Sequence, residues 1–231
     1  MTQIELSAVT VEFPARTALR DVSVRLHERR IAVIGSNGSG KSTFARTLNG
    51  LVTPTTGEVR VHGIDPVRQS RQLRRRVGFV FSNPDTQIIM PTVAEDAAFS
   101  LRGRGLSRAE VRERVAAALD RIGLSEYADS PAHTLSGGQK QLLALCAVLI
   151  GEPSLVVADE PTAYLDAANG RRIARFLLDE MPQQLVLATH DLGLAARCDL
   201  ALRFEDGRLV DQGDPAPVIA RYEHDQDQDQ E

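Results

Sequence analysis

Ile31-Ala-Val-Ile-Gly35-Ser-Asn-Gly-Ser-Gly40-Lys41-Ser42-Thr43 decides the fold. Four consecutive apolar residues suit a strand buried on both faces. They lead directly into a G-x-x-x-x-G-K-[ST] loop, and Phe44–Leu51 behind it has helical character, closing near Gly50. Strand, glycine-rich loop and helix in that order form a phosphate-binding unit. Glycines let the backbone amides turn inward around an anion, and the helix N-terminus adds a favourable dipole. In this reading Gly35, Ser36, Asn37, Gly38, Ser39, Gly40 and Thr43 form the cradle. Lys41 brings a compact charge to the β- and γ-phosphates, and the Ser42 hydroxyl serves as a ligand for Mg²⁺.

Outward from this unit, Ile4–Val11 and Ala18–Leu26 alternate apolar with polar, and Gly57–Val61 reads as a further strand. From Thr86 to about Gly151 the texture is helical. Ser107 and Glu110 form a capping box, and Val111, Val115, Leu119 and Ile122 make one apolar stripe behind it. After Pro153, buried strands return at Leu155–Ala158 and Leu185–Thr189, with a helix over Ala168–Met181 between them. Strands alternating with helices predict an α/β core on a parallel sheet. The expected division is a nucleotide-binding core at 1–86 and 151–219, with a helical subdomain inserted at 87–150. The acidic, repetitive stretch 223–231 reads as a solvated, disordered tail.

Two further elements carry chemistry. Leu155-Val-Val-Ala-Asp159-Glu160 is a buried strand ending in two acids, costly unless they meet a cation or bound water. Beside a phosphate loop, Asp159 suits Mg²⁺, and Glu160 suits the general base that activates the attacking water. Leu135-Ser136-Gly137-Gly138-Gln139 opens the apolar helix through Ile150, leaving a second set of helix-end amides for an anion.

With these residues in place, the sequence resembles the ATP-binding cassette (ABC) ATPases from about Ile4 to Ile219, and Leu135–Gln139 resembles their signature motif. The resemblance implies a P-loop NTPase core with a mixed sheet and an inserted α-helical subdomain. It also implies a head-to-tail dimer that sandwiches two ATP molecules, Ser136, Gly137, Gly138 and Gln139 completing the partner's site. It places Phe13 against adenine, Asp166 of Ala163-Tyr-Leu-Asp in the loop crossing the dimer interface, and His190 at the γ-phosphate. One departure stands out. Ser82 occupies the place of a glutamine that touches Mg²⁺ and the attacking water, and its shorter side chain reaches ~2–3 Å less. Gln87 could take that place only if its loop shifted.

Phe81-Ser-Asn-Pro-Asp-Thr-Gln87 followed by Pro91-Thr-Val-Ala-Glu-Asp96 is similar to the ATPases of energy-coupling factor (ECF) transporters. Among these the chain resembles the biotin importer ATPases, with cobalt or nickel importers next and a soluble ABC ATPase as a further alternative. The resemblance implies ATP and Mg²⁺ as ligands, a homodimeric or heterodimeric ATPase pair, and a membrane-embedded coupling subunit with a substrate-binding subunit. It implies a peripheral place on the cytoplasmic face of the cell membrane. The C-terminal stretch after Gly213 reads as too short for a regulatory domain.

Composition sets the outer bounds. The 231 residues are 42% hydrophobic and 25% charged with a net charge of −4, as in ordinary globular chains. That excludes a fibrous or disordered chain. The N-terminal residues lack the pattern of a secretory leader. The Arg68, Arg71 and Arg74–Arg76 cluster, without aromatic platforms, reads as a solvated face rather than a nucleic-acid surface. Cys146 and Cys198 read as isolated residues in a reducing compartment, Cys146 as a small buried hydrophobe. Lysine occurs at Lys41 and Lys140 alone, the other 25 of the 27 basic residues being arginine. Lys140 reads as a helix-surface cation.

Overall fold

A computed structural model of the chain describes residues 3–228. In order these residues form β1 (Ile4–Phe13), β2 (Arg16–Leu26), β3 (Arg30–Ile34), α1 (Lys41–Leu48), β4 (Thr56–Val61), α2 (Ser70–Leu73) and β5 (Val77–Val80). There follow α3 (Val93–Phe99), α4 (Arg108–Arg121), α5 (Gly137–Leu149), β6 (Leu155–Asp159), α6 (Ala167–Arg175), β7 (Gln184–Ala188), α7 (Leu192–Ala195), β8 (Leu200–Glu205), β9 (Arg208–Gly213) and α8 (Pro215–Gln228). The strands make two sheets. One is antiparallel with order β2-β1-β4; the other has order β5-β6-β7-β3-β8-β9, parallel except for β9.

The continuous apolar runs explain how β3, β6 and β7 come to lie at the middle of the larger sheet. Their side chains alternate between two cores. Ala32, Ile34, Val156, Ala158, Leu185 and Leu187 face the helical side. Ile31, Val33, Leu155, Val157, Val186 and Ala188 face α1 and the antiparallel sheet, where Phe44 stacks on Phe204 at 5.1 Å. A strand apolar on both faces has no solvent side to choose, so its place at the centre follows.

Between β5 and β6 the chain leaves the sheet to build α3, α4 and α5. The Ser107 capping box forms as expected, and Val115, Leu119 and Ile122 are buried. The signature residues begin α5 with another capping box, Ser136 Oγ accepting from the Gln139 N–H and the Gln139 side chain accepting from the Ser136 N–H.

Two expectations need correction. The helix predicted over Ala168–Met181 is α-helical only to Arg175 and widens to π-type turns over Phe176–Glu180. The acidic stretch is helical as far as it is described, with α8 running to Gln228. Composition there argues for solvation, but Arg203 on β8 is buried and needs counter-charge. Asp225 of α8 and Glu205 both pair with it, and its guanidinium lies over the Tyr222 ring at 5.4 Å. Residues 229–231 of that stretch lie outside the described region. Among the described residues no helix is long and apolar enough to cross a membrane.

Candidate functional site

The loop after β3 wraps the N-terminus of α1. Gly35 adopts φ +143°, and a Cβ there would collide with the Phe204 carbonyl, so only glycine lets the loop lie against β8. Lys41 Nζ donates to the Gly35 carbonyl at 2.7 Å and the Ser36 carbonyl at 2.9 Å, folding the lysine back over the cradle. Burial lowers its pKa, while Glu160 and Asp159 pull it the other way. Ser42 Oγ donates to Asp159 Oδ1 at 2.8 Å. The loop with Glu160 lines a cleft of about 200 Å³. That is smaller than the ~300–1,000 Å³ usual for a ligand pocket.

Glu160 follows β6 with φ +51°, a left-handed conformation costing roughly 1–2 kcal/mol for a residue with a Cβ. Its N–H donates to the Ala188 carbonyl at 2.8 Å, which holds the turn. The parallel register pairs Asp159 with Ala188, so β6 and β7 end side by side. That register brings His190 Nδ1 to 2.8 Å from Glu160 Oε2, although thirty residues separate them. Ser82, Gly35, Ser36, Asp166, Glu160 and His190 line one open groove.

Phe13 ends β1 and is 43% exposed. Ser136, Gly137, Gly138 and Gln139 line neither cleft, so a single chain does not bring its signature to its own Lys41. Asp166 accepts from the Ala168 and Asn169 N–H groups and caps α6. Gln87 is committed elsewhere: its Oε1 accepts from the Phe81 N–H, and its Nε2 donates to the Phe79 and Ala144 carbonyls. It cannot stand in for Ser82 without giving these up.

Residues 19–163, which hold the phosphate loop, the signature and both acids, match the ABC transporter family profile. The chain belongs to that family. It is an ATP-binding cassette that hydrolyses ATP. Its relatives include a protein of Rhizobium etli named biotin transport ATP-binding protein BioM, 44% identical over 95% of this chain and 97% of that one. A protein of Latilactobacillus sakei named energy-coupling factor transporter ATP-binding protein EcfA1 is 37% identical over 94% of this chain and 80% of that one. Among solved structures, cbiO1 of Clostridium perfringens, described as part of the ABC transporter complex cbiONQ, superposes with a TM-score of 0.84. It is 32% identical, covering 96% of this chain and 92% of that one.

The cassette also holds residues that motif reading missed. Arg46 Nη2 lies 3.5 Å from Asp159 Oδ2. It sits four residues after Ser42 on α1, a spacing that places both on one helical face and could have revealed it. Arg16, the first residue of β2, lines the cleft with Gly38–Ser42. Lys140 is no free surface cation: its Nζ donates to Asp85 Oδ1 at 2.7 Å and joins α5 to the Asn83–Gln87 loop.

Proposed function

We propose that this cassette is the ATPase subunit of an ECF-type importer that takes up a vitamin, with biotin as the favoured cargo. The observation that carries this reading is the likeness to the protein named BioM over nearly the full length of both chains, together with Asn83-Pro-Asp-Thr-Gln87 and Thr92-Val-Ala-Glu-Asp96. The likeness to cbiO1 supports a second reading, uptake of cobalt or nickel. ATPase subunits do not touch cargo, so fold similarity does not separate the two.

In the proposed mechanism ATP lies with adenine on Phe13 and its phosphates in Gly35–Thr43. Ser39 fits such an occupant, since its buried hydroxyl has no partner among the described residues. Ser42 and Asp159 offer two hard oxygen donors 2.8 Å apart, the donor type Mg²⁺ takes. Ser82, across the groove, is the third proposed contributor. Mg²⁺ would neutralise charge on the β- and γ-phosphates. Lys41 leaves the Gly35 and Ser36 carbonyls for the phosphate oxygens. Glu160 leaves His190 and accepts a proton from the attacking water, while His190 turns to the γ-phosphate. Ser136–Gln139 of a second cassette, identical or related, completes each site, and Asp166 crosses the interface. Hydrolysis reopens the pair.

A membrane-embedded coupling subunit, docked near Ser82–Pro91, carries this motion to a substrate-binding subunit. The cassette then sits on the cytoplasmic face of the membrane and engages no nucleic acid. Co-expression with candidate membrane subunits, affinity capture, and uptake of labelled biotin against Co²⁺ test the reading. Co-purification with a membrane protein and ATP-dependent biotin uptake support it. Co²⁺ uptake instead selects the second reading, and stoichiometric DNA or ribosome binding without a membrane partner overturns both.

A further inference from the structure

The interface loop and the signature touch within one chain. Gly138, the second residue of α5, is buried against Asn169, the third residue of α6. A methyl group at Gly138 would lie within 2.6 Å of Asn169 Cγ, Oδ1 and Nδ2, so the glycine gives the amide its seat. Leu165 sits looser against Gly137, its Cδ2 4.0 Å from where a Cβ would stand. On its other side the Asn169 amide is tied to the interface loop, Nδ2 donating to Asp166 Oδ2 at 2.7 Å. The other Asp166 oxygen accepts two backbone N–H groups, each at 2.9 Å. These bonds, that from the Asn169 N–H foremost, hold the Asp166 carboxyl below its ordinary range, so it stays an anion able to grip the amide.

We propose that Asn169 is a positioning residue whose side chain locks Asp166 to Gly138, so that the interface loop and the signature shift as one unit when two cassettes close. The inference rests on the closed-dimer reading above. Closely packed contacts have few alternative arrangements, so a displacement of the loop is passed on rather than absorbed. In this arrangement the loop that meets the partner controls the glycine that completes the partner's site. Asn169 itself lines neither cleft and acts through its two neighbours.

The test uses the full chain carrying Glu160→Gln as parent, with ATP-driven dimerisation read by sedimentation velocity. Binding of a fluorescent ATP analogue by the single chain and the melting temperature are read alongside. Asn169→Asp sets two carboxylates together and removes the donor, and Asn169→Ala removes the side chain. Each is expected to weaken dimerisation about tenfold, the size of one lost hydrogen bond to a charged group, with analogue affinity within about twofold of the parent. With Glu160 restored, kcat falls in Asn169→Ala while KM for ATP holds. Dimerisation of both single variants like the parent's overturns the proposal alone. A parent that binds the analogue yet stays single under ATP overturns the dimer reading and the proposal with it.

Discussion

At the residue scale the cassette separates charge from geometry. Arginine fills 25 of its 27 basic positions, yet the phosphate loop carries a lysine. Lys41 donates to two carbonyls within its own loop, a pocket that fits a compact ammonium and not a planar fork. Lys41→Arg keeps the charge and should still lower kcat/KM for ATP by about 10²-fold, read by phosphate release. Ser82 is the other telling residue. Gln87 is bound to Phe81, Phe79 and Ala144 and is not free to take its place. Ser82→Gln restores the longer reach and should raise basal ATPase several-fold, a result that an unchanged rate would contradict. Lys41 was legible because its motif is local, whereas Ser82 was legible only as a departure from the family's pattern. The meeting of Glu160 and His190 was not legible in the sequence, since the register of β6 on β7 creates it.

At the element scale, caps and straps set what moves together. Ser107 caps α4 away from both clefts, so Ser107→Ala should cost about 1 kcal/mol of stability and leave ATP turnover unchanged. The strap between α5 and the loop over 81–87 is different. Lys140 reaches Asp85, Gln141 donates to the Phe81 carbonyl, and Gln87 donates to the Ala144 carbonyl. Gln87→Ala leaves partly buried backbone groups unpaired and should cost about 1–3 kcal/mol, seen as a lower midpoint in urea. These links join residues up to 60 positions apart, and no local pattern announces them. The same holds for α8, where composition argued for a disordered tail and the buried charge of Arg203 drew Asp225 onto it.

At the scale of the whole molecule, two cores on either side of one sheet hold the site, and both cysteines lie in the apolar interior of the helical side. Burial raises both thiols from 9.0 to about 12. An acid whose pKa rises on folding stabilises the fold fully below its unfolded value and loses that contribution as pH climbs through the folded one. Native cassette should therefore resist thiol reagents at pH 8 and lose stability from pH 9 upward towards about 12, measured by urea unfolding across pH. The α/β class and the buried central strands were legible because their apolar runs are continuous. The separate antiparallel sheet was not, because alternation marks a strand without naming its neighbour.

Within one chain the signature residues line neither cleft, and the proposed site is completed by a second cassette. The central claim is that Glu160 drives hydrolysis in a closed pair of such cassettes. The most direct measurement is the mass and nucleotide content of the Glu160→Gln protein in MgATP, taken with its rate of phosphate release. The account predicts a two-chain species holding two ATP molecules and a rate lowered by about 10²–10⁴-fold. A single chain that turns over ATP at the unmodified rate would contradict it.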